Sequence, residues 1–451
     1  MPFGPRGTAR KPAATRLISQ TLAFSPTPAL LSAALAELDD LGASGGGAVD
    51  AFARRRALEV YLRFGGEAGR FPARWRHDYA ALPFADLEWS SGRVRVPATG
   101  KPAGLVHTGS IYLEPPAPAG NAQPVFGSLA DALRTQRERV VAVHQRIVAP
   151  ATDRFTALAT AFQNCGAFVD VPDGVALDEP VTLLWTARPG PANAVFPHTV
   201  IRLGRGAAAT IVERHLGEAE SFVAGIVEAD LAPGARLDYV VIQAADDGAR
   251  LFFRRAARCA EDASVGWHVA ELGAALARSA LDLNLDGARA RGEANALFFA
   301  NGFANVDLAI EVAHRARETE SSTVVRSAAA DRGHGRFAGN VRVDPAAHAC
   351  RASMRDDALV LSRDAYLEAV PGLEIEANDV AVSHAATVGS LDEQQLFYVQ
   401  SRGIARAAAE RMVALAFFEP AIARFPSDAL REEVRLALDT RLEEVPETFA
   451  S

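Results

Sequence analysis

The sequence predicts a mainly β fold with helical regions at both ends, and three observations carry that prediction. From about residue 166 to Gly389, short apolar runs are separated by brief Gly, Pro, Asp and Asn punctuation, and no long helix intervenes apart from an ambiguous Ala-rich stretch near Glu271 to Ser279. Several runs share a loose template. LGRGAAATIVE, LAPGARLDYVV and VDPAAHACRAS each give an apolar residue, a tight turn with Gly or Pro, a small residue and then an alternating strand. Before residue 165 and after Ser390 the apolar spacing becomes helical. Stacked short units bury a continuous core in a β-helix, although the irregular repeat spacing also leaves a β-sandwich open. Doubly wound α/β folds are disfavoured, because their parallel strands need helical crossovers.

In chain order, AVDAFARRRALEVYLRF (48 to 64) puts Phe52, Leu58, Tyr61 and Leu62 near one helical face and leaves Arg54, Arg55 and Arg56 for water. In SLADALRTQRERVVAVHQRI, Ser128 is a candidate N-cap and Asp131 suits the first turn. The Pro/Gly-rich EPPAPAGNAQP, Glu114 to Pro124, connects these two regions. The strand-like runs include VTLLWTA (181 to 187), TVIRLG (199 to 204), ATIVERH (209 to 215), LDYVVIQ (237 to 243) and LEIEA (373 to 377). At SLDE, Ser390 is placed to cap the N–H of Glu393 in a capping box. The helix begun there should end near Gly403. A second should run from about Ile404 to Phe418, with Ile404, Ala408, Met412 and Leu415 on one stripe, before Pro420 and Pro426 break it. DALREEVRLALDTRLEEV (428 to 445) reads as a third amphipathic helix. The expected division is an N-terminal helical region (1–150), a β core (151–389) and a C-terminal helical domain (390–451).

Composition narrows the function. With 451 residues, 49% hydrophobic and 23% charged, the chain can bury a large core. A net charge of -8 argues against nucleic-acid binding, which needs a concentrated basic surface. Lys11 and Lys101 are the only lysines. Cys165, Cys259 and Cys350 are far apart, odd in number and without CxxC spacing, which fits a reducing, cytoplasmic setting and gives no thiolate metal site. No apolar run has transmembrane length. The first 36 residues contain Arg6, Arg10, Lys11 and Arg16 but no acid, so a plastid transit peptide is the alternative location.

Chemical motifs are mostly missing. There is no GxxxxGK[ST] phosphate cradle, no HExxH and no GxSxG. The acid pairs Asp246/Asp247 and Asp356/Asp357 could suggest sugar chemistry on a solenoid face, but neighbouring carboxylates on a strand point to opposite faces, and solvated turn positions are the favoured reading. His334, between two glycines in DRGHGRF, reads as a loop residue. His348 and Cys350, two apart, would share a strand face and could bind a soft metal, though two ligands do not make a site. His384 follows the strand-like NDVAVS and precedes Ala385, Ala386 and Thr387, which leave its imidazole uncrowded. On the residues alone a structural role is favoured for it.

A resemblance shifts that balance. SHAATVGSLDEQQLFYVQSRGIARAAAERMVALAFFEPAI, from Ser383 to Ile422, resembles the C-terminal signature of the SufB/SufD family of iron-sulfur cluster assembly proteins. Three further stretches resemble that family in the same order: DRFTALATAFQNCGAFVDVPDGVALDEPVTLLW (153 to 185), PHTVIRLGRGAAATIVERHLG (197 to 217) and HRARETESSTVVRSAAADRGHGRFAGNVRV (314 to 343). The N-terminal region matches loosely, through GRFPARWRHDYAAL. Within the family the chain looks SufD-like. SufB-like members carry His-Glu where this chain has His384-Ala385, and an upstream cysteine where the region Met354 to Asp357 has none.

The resemblance implies a right-handed parallel β-helix core flanked by helical regions, and a non-catalytic subunit of a SufBCD complex. Pairing with a SufB-like protein would use the β-helix, and a SufC-like ABC ATPase would dock on the C-terminal helices through Phe397, Tyr398, Gly403, Met412, Phe417 and Phe418. His384 would supply an imidazole across the interface to a transient iron-sulfur cluster whose thiolate comes from the partner. A homodimer is also possible under the resemblance, and no cofactor is expected to be tightly bound by this chain alone. Two other readings stay open. A SufB-like homomeric scaffold would need its own thiolate, and a carbohydrate-active β-helix enzyme would need carboxylates clustered on one face.

Overall fold

The computed structural model of the chain describes residues 48–66, 88–89, 94–95, 110–114, 124–186, 193–216 and 221–445. The cation-bearing segment 1–36, the connector residues 115–123 and the loosely matching stretch 69–82 lie outside these. Helix α1 (Ala48–Gly66) is followed by the short strands β1 (Glu88–Trp89), β2 (Val94–Arg95), β3 (Ser110–Glu114) and β4 (Val125–Ser128). Helices α2 (Leu129–Thr135), α3 (Arg137–Val141) and α4 (Arg154–Ala161) lead into β5 (Ala167–Val171), β6 (Val181–Thr186) and β7 (Asn193–Val195).

From there the chain coils. Strands β8 (His198–Leu203), β10 (Phe222–Leu231), β12 (Arg250–Cys259), β14 (Leu276–Leu285), β16 (Asn305–His314), β18 (His334–Val343) and β20 (Tyr366–Ile375) stack in one sheet. Strands β9 (Ala208–Leu216), β11 (Arg236–Gln243), β13 (Ser264–Glu271), β15 (Arg291–Ala300), β17 (Glu320–Ala329), β19 (Cys350–Val360) and β21 (Val380–Gly389) stack in the other. Each coil gives one strand to each sheet, and consecutive coils pair in parallel, as in Arg250↔Leu276 and His334↔Tyr366. The result is a parallel β-solenoid of about seven turns, so the mainly β expectation holds and the sandwich alternative falls. The Ala-rich stretch near Glu271 to Ser279 is the turn between β13 and β14 and the start of β14.

One turn of every coil shares a device. Gly174, Gly206, Gly234, Asp262, Arg289, Glu318 and Ala349 all have φ between 55° and 69° except Gly234 at 73°. Each donates its N–H to the turn of the next coil, from Gly174→Arg205 to Ala349→Asp379, at 2.7 to 3.1 Å. The Gly-containing template in the sequence marks the early members of this column. The later members carry side chains into a left-handed conformation that costs them about 1–2 kcal/mol each, which the inter-coil hydrogen bonds offset.

The solenoid interior is apolar, with Val181, Ile211, Leu237, Val265 and Phe298 among its members, but it encloses one charged cluster. Arg255 reaches Glu213 through Nε and Nη2 at 3.1 and 3.0 Å and Ser279 Oγ through Nη1 at 2.9 Å. His215 Nε2 donates to Glu213 at 2.6 Å, and Tyr239 also donates to this carboxylate. Burial alone would raise the Glu213 pKa, yet Arg255 and His215 outweigh it and hold the carboxyl well below its usual range.

A second buried carboxylate anchors the N-terminal flank. Gln145, at φ 59°, opens a small concavity of backbone N–H groups that closes on Glu228. Glu228 accepts from the N–H groups of Gln145, Arg146, Ile147 and Val148 at 2.6 to 3.0 Å and from His198 Nε2 at 2.7 Å. Burial opposes the charge, but the His198 hydrogen bond and its neighbours leave the pKa lowered. An amide cannot accept all five donors. Glu228→Gln is therefore expected to cost about 2–3 kcal/mol in urea unfolding and to speed proteolysis between Val143 and Val148; an unchanged midpoint would show that the clamp contributes nothing.

Several local expectations need correction. Helix α1 forms and buries Ala57, Leu58 and Tyr61, but Phe52 is exposed while Arg54 is buried, its Nε donating to Ala161 O of α4 at 3.4 Å. The buried stripe therefore runs through Arg54, Ala57, Leu58 and Tyr61, because a long Arg stem can line an apolar contact. Ser128 caps α2 as expected, accepting from Asp131 N at 3.0 Å. At the C-terminal end the cap is Asp392, not Ser390. Its carboxylate accepts from Gln394 and Gln395, so α5 (Glu393–Ser401) starts later than the capping box implied.

Helix α5 ends beside Gly403 at φ 86°, as expected. Helix α6 (Arg406–Ile422) continues through Pro420, because Phe418, Ala421 and Ile422 are held on the solenoid and only two residues follow the proline. Its buried stripe is Ala409, Ala414, Phe418, Ala421 and Ile422, whereas Ala408 and Met412 face outward. Helix α7 (Asp428–Glu443), capped by Ser427, packs beside α6 on the outer face of the second sheet, against Val240, Ile242, Leu272 and Phe299. Arg214 of β9 grips Glu433 of α7 with two bonds at 2.6 and 2.7 Å. No helix among the described residues is long and apolar enough to cross a membrane.

Candidate functional site at the open end of the solenoid

The last coil differs from those before it because no further strand among the described residues stacks on it. Strand β20 pairs only with β18 and β21 only with β19, so each is the final strand of its sheet and each offers an unpaired parallel edge. Tyr366, Val370, Ile375 and Val388 are exposed large apolar side chains on this coil. A solvent-facing end would ordinarily be blunted by charge, and Pro371 is the only residue of β20 that lacks a backbone donor.

His384 lies in β21 with Met354 of β19 as its register partner. Cys350, Ala352, Met354 and Ala358 of β19 belong to the interior core, and Val380 and Val382 of β21 pack partly against it. Alternation along a strand puts His384 and Ala386 on that same interior face. Both are nonetheless exposed, because the end coil leaves this face open. Met354 fills the interior beside them: a Cβ built on Gly339 would come within 2.3 Å of Met354 Sδ.

The acid pair in β19 is not a solvated turn, contrary to the favoured reading of the sequence. Asp357 faces outward, where Arg326 and Arg355 bind it at 2.9 and 2.8 Å, and Arg326 stacks over Phe417 of α6. Asp356 faces inward between Met354 and Ala358, is 1% exposed, and neither carboxylate oxygen has a hydrogen-bond partner among the described residues. Burial, then the charge of Asp357, pushes its pKa up to about 7, and the opposing charge of Arg326 does not reverse the shift. Alternation in CRASMRDDALV carried the signal: with Cys350, Ala352 and Met354 facing inward, Asp356 must do so as well. The other pair, Asp246/Asp247, does sit in an exposed turn, with Asp247 bound to Arg441 at 2.9 Å.

The remaining sequence candidates separate. His334 opens β18 rather than a loop, with its ring 6.0 Å from that of Tyr366. His348 lies exposed in the turn before β19, while Cys350 points inward with its Sγ 3.0 Å from Thr319 Oγ1, so the two do not share a face. Burial holds the Cys259 thiol protonated, far above its ordinary range. No group of three or more His, Cys, Asp or Glu side chains among the described residues is placed to hold a metal ion.

On the C-terminal helices, Phe397 is 74% exposed, and Tyr398 and Met412 are exposed as well. Arg402 donates to Tyr398 Oη at 3.1 Å, and Arg406 of α6 binds Glu393 of α5 at 3.0 Å, fixing the two helices together. Phe418, in contrast, is 0% exposed and Phe417 is half-buried, so these two hold α6 on the solenoid.

Residues 186–417 match the family model described as SUF system FeS cluster assembly, SufBD core domain. The chain is 29% identical over 273 residues to an iron-sulfur cluster assembly SufBD family protein of Mycobacterium leprae, covering 60% of this chain and 31% of that protein. A SufBD family protein of Staphylococcus saprophyticus is 26% identical over 315 residues, 69% of this chain and 68% of its own. The iron-sulfur cluster assembly protein SufB of Bacillus subtilis is 26% identical over 319 residues, 70% and 68% of the two chains.

Proposed function

The chain belongs to the SufBD family of SUF-system iron-sulfur cluster assembly proteins, and from that premise we propose that it is a SufD-like scaffold subunit rather than an enzyme. Its end coil pairs with a SufB-like protein, whose strands extend the open edges of β20 and β21. Its α5 and α6 receive a SufC-like ATPase. Iron and sulfide are the substrates of the assembled complex and meet at the interface between the two solenoids.

One observation carries this reading. His384 is exposed on the interior face of an uncapped coil, and that coil has no thiol of its own to offer beside it. The one cysteine of β19, Cys350, is buried and occupied by Thr319. Neutral imidazole binds iron, and mixed Cys/His ligation is established chemistry for iron-sulfur centres, so a partner thiolate completes the set. Co-expression with SufB-like and SufC-like proteins, followed by size-exclusion and iron and sulfide analysis, tests it; an isolated chain that reconstitutes a stable cluster would favour a homomeric, SufB-like scaffold instead.

The ATPase surface narrows to the exposed side chains. Paired substitutions Phe397→Ala and Tyr398→Ala are expected to weaken SufC capture by tenfold or more, since buried interface aromatics are worth about 2 kcal/mol each. The melting temperature should hardly move, because neither ring supports the core. Undiminished co-purification would place the docking surface elsewhere.

A further inference from the structure

We propose that Asp356 is a second metal ligand of this chain and forms with His384 a carboxylate-imidazole half-site for ferrous iron at the open end of the solenoid. The inference rests on the role given to His384 above. Met354 is the register partner of His384, and Asp356 that of Ala386, so the two ligands occupy the same interior face as diagonal neighbours on adjacent strands. Diagonal neighbours in a sheet lie about 7–8 Å apart, a gap that an aspartate, an imidazole and one ion between them can span.

Asp356 also lacks any competing structural role. The guanidinium groups of Arg326 and Arg355 are bound to Asp357 on the outer face. Both oxygens of Asp356 are buried and have no hydrogen-bond partner among the described residues. An unpaired buried carboxylate destabilises the fold it sits in more than an uncharged amide or an apolar residue of similar size would. A carboxyl group one strand inside an open end, with neither oxygen engaged by a described residue, is what an incoming cation would use.

Asp356 is one strand from the open edge. The residue in register with it on the last strand is the small, exposed Ala386, and the exposed His384 is its diagonal neighbour. Carboxylate and imidazole together suit a ferrous ion, and two ligands leave its other positions for sulfide and for the thiolate of a partner. Binding needs the imidazole neutral and the carboxylate ionised; the ion displaces any carboxyl proton to solvent, and no electron is transferred.

Cobalt(II) is the probe, titrated into the full-length chain without sulfide and followed by its visible absorption. Wild type should bind, and His384→Ala and Asp356→Asn should each weaken binding by about tenfold or more, the least that losing even an outer-shell partner costs. Asp356→Cys should add a thiolate-to-cobalt charge-transfer band that wild type lacks and that His384→Ala, combined with it, diminishes. Asp356→Asn should keep or raise the melting temperature; if it melts lower, the Asp356→Cys band decides.

Wild-type affinity in Asp356→Asn together with no band in Asp356→Cys overturns the proposal. If His384→Ala still weakens binding in that case, the role of His384 stands alone. If wild type does not bind cobalt, or if none of the variants differs from it, the half-site is refuted and so is a metal-binding role for His384 in the isolated chain.

Discussion

Replacing His384 with alanine is expected to cut cluster output of the assembled complex by at least about tenfold, the lower bound for loss of a direct ligand when even outer-shell partners are worth that much, while leaving fold and pairing intact. The imidazole is exposed on the end coil, so its removal opens no core cavity and breaks no internal hydrogen bond that positions β21. The proposed pairing through the backbone edges of β20 and β21 would not depend on that ring. The comparison to make is iron and acid-labile sulfide per complex, measured on wild-type and His384→Ala complexes of equal size-exclusion profile. Full cluster output from the variant would remove His384 from the chemistry.

The second large effect concerns stability. Arg255→Leu should cost about 3–5 kcal/mol, because removal of one partner strands the Glu213 charge inside the solenoid. The pH dependence gives the sign. In wild type the Glu213 pKa is lowered, so its contribution is complete above the unfolded value of about 4.3 and is lost as pH falls below it toward the folded value. Without Arg255 the cost of burying the charge dominates and protonation of Glu213 becomes favourable. The deficit of the variant is therefore largest near neutral pH and shrinks on acidification. Urea midpoints for both proteins at pH 7 and pH 4.5 check this; a deficit that is constant with pH would mean that His215 and Tyr239 alone can hold the carboxylate.

Much of the solenoid was legible because strand runs and Gly-bearing turns are local signals. Gly206 and Gly234 announce left-handed turns, and the strands that flank them fall where the apolar runs predicted. The stacking itself was harder to read. The same turn position is Asp262, Arg289, Glu318 and Ala349 in later coils, where inter-coil hydrogen bonds rather than residue type impose the conformation. The coil spacing also drifts, from Arg250 to Leu276 in one step and His334 to Tyr366 in another, which blurs any fixed repeat.

The ends of helices depended on tertiary choices: Asp392 displaced Ser390 as a cap, and packing carried α6 through Pro420. At the site, His384 was visible as a residue, but its exposure was not, because that follows from the absence of another coil above β21. Asp356 was hidden by its neighbour. Two adjacent acids look like one solvated feature until strand alternation assigns them to opposite faces with opposite fates, Asp357 paired and Asp356 alone.

The connection between β21 and α5 has a mechanical meaning. Only Ser390, Leu391 and Asp392 separate the strand that carries His384 from the helix that presents Phe397 and Tyr398. At its other end the same coil is stitched to the solenoid by the Ala349 N–H to Asp379 carbonyl bond, while its outer edge is bound to nothing. A strand held along one edge by its ladder to β19 and attached to a lever at its C-terminus passes a displacement of the helix into that single ladder. Load applied where an ATPase would sit therefore reaches His384 along residues 385–392, through the last strand of the solenoid rather than across its packed interior.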